Sequence, residues 1–189
     1  MQEDEKIVPH TPLPGEASLK EKLDQMIRVN HAGEYGALRI YAGQLHVLHK
    51  TQSGPVIEEM RAQEEKHLAY FTQEIRARRV RPTLLSPLWH GLGFALGVVT
   101  ARLGETTAMA CTVAVEDAID AHYKAQEDFL ADVPQESDLK EKISQFRQEE
   151  QEHKETGLTH GAQDAPGYRL VYHTIKNASK IAIWLSSRL

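Results

Sequence analysis

Two pairs of glutamate and histidine, each spaced as Glu-x-x-His, are the residues best suited to chemistry in this chain of 189 residues. The pairs are Glu64 with His67 and Glu150 with His153. In an α-helix, side chains at positions i and i+3 lie on the same face, so each pair can bind one metal ion. Such a pair arises easily by chance in a chain with ten histidines, and its position in the helix therefore has to be considered.

Both pairs interrupt apolar stripes and are therefore predicted to point into a protein core. The first pair lies between Met60 and Phe71, and the second continues a stripe that contains Phe146. Two further glutamates interrupt apolar stripes in the same way, Glu34 in the first predicted helix and Glu116 in the fourth. Four core helices would thus each bury a carboxylate.

Four buried carboxylates beside two histidines require compensating positive charge, because an unpaired buried ion costs several kcal/mol even after relaxation. Two ferrous ions would balance the four negative charges. Carboxylate ligands with one imidazole per metal suit iron that cycles between oxidation states. The alternative for these residues is a set of structural ion pairs and satisfied polar groups in the core.

The composition excludes several other kinds of site. The single Cys111 leaves no intrachain disulfide and no zinc or iron–sulfur site built from cysteines. A net charge of −5 argues against nucleic acid as a partner, because phosphate binding needs a surplus of Lys and Arg. Imidazole and carboxylate therefore remain as the metal ligands.

Six helices are predicted to position these residues, and no segment shows the alternation of a strand. The first begins with a capping box formed by Ser18 and Glu21 and ends before Ser53. The others are predicted at about residues 55–78, 86–103, 105–131, 137–158 and 167–189. Residues 1–17 are predicted to be a flexible lead-in, and 18–189 a single domain.

The order of the ligands along the chain predicts the architecture. Two helical hairpins, at about 18–79 and 105–160, each supply Glu and then Glu-x-x-His. This is the ligand set of ferritin-like di-iron and di-manganese bundles. We therefore predict an all-α, ferritin-like four-helix bundle with one crossover connection and two additional amphipathic or apolar helices.

Three strings of residues around the first and fourth helices are distinctive. They are Arg-Val-Asn-His-Ala-Gly-Glu-Tyr-Gly-Ala at 28–37, Arg-Ile-Tyr-Ala-Gly-Gln at 39–44, and Ala-Cys-Thr-Val-Ala-Val-Glu at 110–116, the last followed by His122 and Tyr123. They closely resemble the Coq7 family, the demethoxyubiquinone hydroxylases. The resemblance extends from about Leu19 to Leu189.

The resemblance implies both ligands and an activity. It assigns Glu34, Glu64 and His67 to one iron and Glu116, Glu150 and His153 to the other, with Glu64 and Glu150 able to bridge. The activity is hydroxylation of the benzoquinol ring of a polyprenylated demethoxyubiquinol with O2 and two electrons, a late step of ubiquinone biosynthesis. The electrons come from an external reductant, for which the resemblance suggests NADH.

Residues near the ligands are given supporting or structural roles. Asp120 and Tyr123 follow Glu116 at four and seven residues and are predicted to orient ligands or relay electrons and protons, although Tyr123 fits a purely structural core role equally well. His31 and His122 are predicted to be structural. Four other histidines are predicted at the surface or at an interface: His46, His49, His90 and His173.

Two segments favour attachment to a membrane surface. The helix at about 86–103 is apolar, and the helix at about 167–189 carries four cations and no acidic residue. Capping of the bundle or a protein interface is the alternative. Neither segment has the unbroken apolar length of a spanning helix.

The predicted location is the cytoplasmic face of a bacterial inner membrane or, for a processed form, the matrix face of the mitochondrial inner membrane. Predicted partners are the quinol, other ubiquinone-biosynthesis proteins and further copies of the chain. Two other functions fit the same residues: a ferritin- or rubrerythrin-like ferroxidase, and a non-catalytic lipid-binding bundle.

Overall fold

The computed structural model describes residues 17–189, which form six α-helices and, within that range, no strand. The helices are α1 (Leu19–Leu48), α2 (Gly54–Arg78), α3 (Ser86–Arg102), α4 (Glu105–Leu130), α5 (Ser137–Thr159) and α6 (Tyr168–Ser186). Ser18 caps α1 in a complete capping box with Glu21, as predicted. Except for Ala17, the predicted lead-in lies outside the described residues.

The helices form a ferritin-like four-helix bundle with one crossover connection, which confirms the predicted fold class. α1 packs against α2, and α4 packs against α5, so that each pair is a helical hairpin. The connection from α2 to α4 contains α3, which packs along α1. α6 packs mainly on α4.

Glycines bring α3 unusually close to α1. A Cβ atom added to Gly97 would lie 2.0 Å from the carbonyl oxygen of Ile40, and one added to Gly43 would lie 2.2 Å from that of Phe94. Any side chain at either position would clash with backbone and push the two helices apart. This close packing explains why glycine is needed at position 97 of α3 and at position 43 of α1.

Two apolar clusters enclose the middle of the bundle. One contains Phe71, Tyr123 and Phe146, and the other contains Tyr41 and Met109. The ring centroids of Phe71 and Phe146 lie 5.7 Å apart in an edge-to-face arrangement. Polar groups placed between these clusters are removed from water.

Candidate metal centre

All six predicted ligands meet in the middle of the bundle, between the two apolar clusters. Their exposed fractions are 0–2%. α1 and α4 supply one glutamate each, whereas α2 and α5 supply a Glu-x-x-His pair each. The helical repeat places both members of each pair on the inner face, as the apolar stripes predicted.

The six residues form two overlapping groups that could each hold a metal ion. Ligand atoms of Glu34, Glu64, His67 and Glu150 lie within 4.8 Å of one another. A second group with the same spacing comprises Glu64, Glu116, Glu150 and His153. Glu64 and Glu150 belong to both groups, which is the position required of bridging carboxylates.

The imidazole nitrogens that face the carboxylates are both Nδ1 atoms. Nδ1 of His67 lies 3.2 Å from Glu150 Oε1 and 3.5 Å from Glu64 Oε2. Nδ1 of His153 lies 3.1 Å from Glu64 Oε1 and 3.4 Å from Glu150 Oε2. Each imidazole therefore faces both shared carboxylates.

The hydrogen bonding of this cluster fits bound cations. Among the described residues, eleven buried side-chain nitrogen or oxygen atoms have no hydrogen-bond partner, and eight of these belong to the six predicted ligands. Native proteins pair nearly all of their buried polar groups. Carboxylate oxygens and imidazole nitrogens that converge without partners are suited to coordinating metal, so the residues present fit two divalent ions.

The electrostatics lead to the same conclusion. Burial and the nearby carboxylate of Glu64 raise the pKa of Glu34 to about 7. Burial and the carboxylates of Glu150 and Glu64 hold the pKa of Glu116 well above its usual range. Burial opposes the charged form of His153, but its contacts with Glu150 and Glu64 outweigh this effect and raise its pKa to about 11. Without metal, protons therefore supply the compensating charge, and metal binding must release them.

The outer nitrogen of each histidine has an acceptor on the opposite hairpin. Nε2 of His67 bonds with Glu149, and Nε2 of His153 bonds with Gln63. These acceptors place the proton on Nε2 and leave Nδ1 free for a metal ion. Sequence reasoning missed both acceptors, although each immediately precedes the glutamate of a Glu-x-x-His pair.

Replacing Glu149 by alanine is expected to weaken metal binding about 10- to 100-fold without removing a ligand. His67 would lose the contact that orients its ring and increases its basicity, and outer contacts of this kind have effects of that size. Titration of the protein with Fe(II) under anaerobic conditions measures the change. The nearby Glu152→Ala, on the exposed face of α5, is the control, and equal affinities for the two variants would contradict the role given to Glu149.

Two tyrosines bond across the bundle with the two ligand glutamates that belong to only one metal-binding group each, Glu34 and Glu116. The hydroxyl of Tyr123 donates to Glu34, and the hydroxyl of Tyr41 donates to Glu116 over 2.6 Å. Each tyrosine follows a glutamate of its own helix by seven residues and bonds with the glutamate of the other helix. Tyr123 thus contacts a predicted ligand. Tyr41 was missed, although it has the same spacing from Glu34.

Asp120 lies outside the cluster. Its carboxylate accepts hydrogen bonds from Arg147, over 2.8 Å, and from Gln151, and its side chain is 23% exposed. Arg147 also bonds with Glu127, so this network joins α4 to α5. The structure therefore does not place Asp120 beside the metal ligands, because the side chain points to the α4–α5 surface.

The other predicted histidines have varied surroundings. His122 accepts from Gln126, which also pairs with Asn30 on α1, and burial lowers the pKa of His122 to about 4. This arrangement is a neutral histidine in a structural network. Burial also lowers the pKa of His31, whose Nδ1 has no partner. Exposed side chains are found at His46, His49, His90 and His173.

An apolar groove leads from the surface toward Glu116. Its volume is about 190 Å³, and it is lined by residues of α1, α3, α4 and α6 that include Trp89 and the 54%-exposed Leu92. A smaller inner cavity, too narrow to hold a water molecule, shares three lining residues with the groove and is also lined by Tyr41, Thr112 and Glu116. The shared residues are Ala37, Ile40 and Val115. An apolar molecule can thus enter the groove from the α3–α6 surface, and the three shared residues separate it from Glu116.

Comparison with known proteins agrees with the geometry. The model of the family described as "Ubiquinone biosynthesis protein COQ7" matches residues 21–186. A 3-demethoxyubiquinol 3-hydroxylase of Rhodospirillum rubrum is 51% identical over 178 residues, which cover 94% of this chain and 83% of that protein.

Eukaryotic relatives match over a similar length. The NADPH-dependent 3-demethoxyubiquinone 3-hydroxylase of Rattus norvegicus, a mitochondrial protein, is 53% identical over 88% of this chain and 77% of its own length. The mitochondrial 5-demethoxyubiquinone hydroxylase of Saccharomyces cerevisiae is 40% identical over 88% of this chain and 78% of its own. With a family match over nearly all of the described residues and six converging ligands, the chain belongs to the COQ7 family of ubiquinone biosynthesis proteins.

Proposed function

We propose that this protein is a di-iron hydroxylase that acts on the ring of a polyprenylated demethoxyubiquinol. The carrying observation is the position of two overlapping carboxylate and histidine groups at the inner end of an apolar groove. The relatives named as demethoxyubiquinol or demethoxyubiquinone hydroxylases support the substrate class. In the reaction, one oxygen atom of O2 replaces a ring hydrogen with a hydroxyl group, and two electrons and two protons convert the other to water.

The protein's contribution is to hold the two iron ions, to orient their ligands and to enclose the site away from water. Glu34, Glu64 and His67 would hold one iron, and Glu116, Glu150 and His153 the other, with Glu64 and Glu150 shared. Two bound ferrous ions would supply open coordination positions for O2 and would pass on the two electrons that an external reductant provides. Glu149, Gln63, Tyr41 and Tyr123 orient the ligands through the hydrogen bonds described above.

The groove suits the substrate better than it suits a free metal ion. Its lining is almost entirely apolar, with Ser179 and Ser186 as exceptions. A prenyl tail gains free energy on leaving water for such a surface, at about 25 cal/mol per Å². A hydrated ferrous ion would lose hydration there without compensation. The groove therefore favours a quinol hydroxylase over the ferroxidase alternative.

The function is tested by a single-turnover assay with ¹⁸O₂. Anaerobically reduced, iron-loaded protein is mixed with a demethoxyubiquinol, and the product is examined by mass spectrometry. We expect one ¹⁸O atom in the ring hydroxyl. Oxidation of Fe(II) with no hydroxylated product would instead identify a ferroxidase.

We also propose that α3, α6 and the residues flanking them form a membrane-docking surface. Among the described residues, nine of the ten exposed large apolar side chains lie in the segments 84–103 and 170–189. Cations flank this surface: Arg81 donates to the carbonyl oxygen of Leu189, and the guanidinium of Arg188 lies 3.9 Å from the ring centroid of Trp184. Arg78 forms ion pairs with Glu74 and Glu136, and we therefore do not count it among the cations that would face the membrane. Apolar groups flanked by cations suit the interface of an anionic bilayer.

No helix in the described part of the chain has the length and hydropathy needed to cross a membrane. We therefore propose peripheral binding at the cytoplasmic face of a bacterial inner membrane, with the matrix face of the mitochondrial inner membrane as the alternative for a processed form. The groove reaches this surface at Leu92. A quinol could then enter without passing through water.

Replacing Leu92 or Ile181 by aspartate is expected to reduce binding to anionic lipid vesicles about 30-fold. Each change removes about 2 kcal/mol of apolar burial, and 1.4 kcal/mol corresponds to a factor of ten. Co-sedimentation with vesicles measures the partition coefficient. Leu19→Asp, at an exposed apolar residue on α1, is the matched control. Equal loss for all three variants would place the docking surface elsewhere.

The electrons are proposed to come from an external nicotinamide donor. The resemblance suggests NADH, whereas the rat relative is named as NADPH-dependent. Comparing the two nucleotides as reductants of the quinone-bound protein distinguishes them. Self-association and complexes with other ubiquinone-biosynthesis proteins remain predictions.

A further inference from the structure

Thr112 has a buried hydroxyl group with no hydrogen-bond partner. Its side chain lies on α4 one turn before Glu116, its exposed fraction is 1%, and no atom of the described residues accepts from or donates to its Oγ1. A buried hydroxyl without a partner is unfavourable, and such groups are rare in native proteins. The hydroxyl therefore requires a partner from outside the chain.

The rest of the structure explains why the hydroxyl lacks a partner within the helix. A threonine inside a helix commonly donates to the carbonyl group four residues earlier. Thr100 in α3 does so, donating to Leu96 over 2.8 Å. For Thr112 the corresponding carbonyl belongs to Ala108, and it accepts instead from the buried side chain of Gln44, over 3.0 Å. The bond from Gln44 leaves the Thr112 hydroxyl available.

The free hydroxyl lies just beyond the inner end of the apolar groove. Thr112 lines the narrow inner cavity together with Tyr41 and Glu116, and a ring reaches its hydroxyl only when this cavity widens. This cavity shares part of its lining with the apolar groove that reaches the surface. The outer groove offers few polar groups, so a ring with two oxygen substituents finds hydrogen-bonding groups mainly at the inner end.

We propose that Thr112 is a substrate-binding residue whose hydroxyl hydrogen-bonds a ring oxygen of the quinol and thereby orients the ring beside Glu116. This inference rests on the proposed function, because that function supplies the quinol as the ligand. Tyr41 uses its own hydroxyl to donate to Glu116 and fixes that side of the cavity. Thr112 is then the uncommitted donor at the inner end.

The test compares Thr112→Val, which keeps the shape and removes the hydroxyl, with Thr112→Ser, which keeps the hydroxyl. Binding of the quinone is measured anaerobically, without turnover, by quenching of tryptophan fluorescence, since Trp89 lines the groove. Binding of the second probe, which does not quench, is measured by its displacement of the quinone. The probes are a decyl-tailed methoxy-methyl-benzoquinone and decyl-toluene, which lacks the ring oxygens. Thr100→Val is the matched control, because it removes a hydroxyl that already has partners.

We expect Thr112→Val to raise the Kd of the quinone about tenfold, the worth of one hydrogen bond, and to leave the Kd of decyl-toluene unchanged. Thr112→Ser should stay within about twofold of the unaltered protein for both probes. In turnover, KM should rise about tenfold with kcat nearly constant. An equal loss of affinity for both probes, or no loss for either, would overturn the proposal. Because binding is measured without turnover, failure of the hydroxylase assay would be a separate result.

Discussion

Replacing Glu150 by alanine is expected to remove both metal ions and to reduce hydroxylation at least about 1000-fold. Glu150 belongs to both of the overlapping ligand groups, so its loss leaves each with one carboxylate fewer. Metal ions supply several kcal/mol of transition-state stabilisation, and each 1.36 kcal/mol corresponds to a factor of ten in rate. Metal analysis and Mössbauer spectra of protein loaded with ⁵⁷Fe measure the occupancy of the sites.

Glu116→Ala gives a graded comparison. Glu116 belongs to only one of the two groups, and this variant should therefore retain more iron than Glu150→Ala. Glu152→Ala, at an exposed position on α5, should behave as the unaltered protein. Circular dichroism checks that each variant is folded. Two irons per chain and full activity in Glu150→Ala would contradict the proposed di-iron centre.

Removal of metal is expected to lower the unfolding temperature by about 10 °C. Fe(II) at about 1000 times its Kd stabilises the folded state by about 4 kcal/mol, and 1 kcal/mol shifts the unfolding temperature of a chain of this size by about 2–4 °C. The physical cause is the set of buried carboxylates, which in the metal-free protein are compensated only by protons. Thermal unfolding with and without a chelator, under anaerobic conditions, measures the difference.

The variant Glu116→Gln separates two contributions to folding stability: the cost of burying the Glu116 carboxylate and the stabilisation that bound metal provides. The pKa of Glu116 is raised in the folded protein, so at pH 7 its burial lowers stability, whereas below its unfolded pKa it is protonated in both states. We expect metal-free Glu116→Gln to be more stable than the unaltered metal-free protein at pH 7, and equally stable near pH 4.

The same variant should lose much of the stabilisation by Fe(II), because an amide is a poorer metal ligand than a carboxylate. A protein whose stability does not respond to metal, with Glu116→Gln unaltered in this respect, would show that the cluster is a structural ion-pair network. That was the alternative reading of the sequence. If Glu116→Gln is more stable than the unaltered protein without metal and is no longer stabilised by Fe(II), the carboxylate serves metal binding at the expense of folding stability.

The sequence predicted the six helices and the six candidate ligands for a local reason. Helical periodicity is a property of neighbouring residues, and a glutamate or histidine that interrupts an apolar stripe must share the buried face of its helix. The capping box at Ser18 and Glu21 is equally local, and its predicted position is confirmed. Asp120 shows the limit of this reasoning. It follows Glu116 by one helical turn and was therefore predicted near the metal ligands, but its carboxylate bonds with Arg147 at the α4–α5 surface.

Contacts across the bundle required the tertiary structure. The bond of His67 with Glu149 joins residues 82 positions apart, and that of His153 with Gln63 joins residues 90 positions apart. Spacing within one helix carries no information on which residue of another helix faces it. Tyr41 was missed for this reason, even though its spacing from Glu34 repeats that of Tyr123 from Glu116.

The sequence by itself therefore determined the helices, the inward direction of the six ligands and the family resemblance, because each depends on residue types and short spacings. Only the tertiary structure decided which residues of other helices bond with the ligands, where the apolar groove ends and which hydroxyl is left unpaired. Those properties depend on the packing of helices from distant parts of the chain. The free hydroxyl of Thr112 is one example, since it exists because Gln44 on α1 bonds with a carbonyl group of α4.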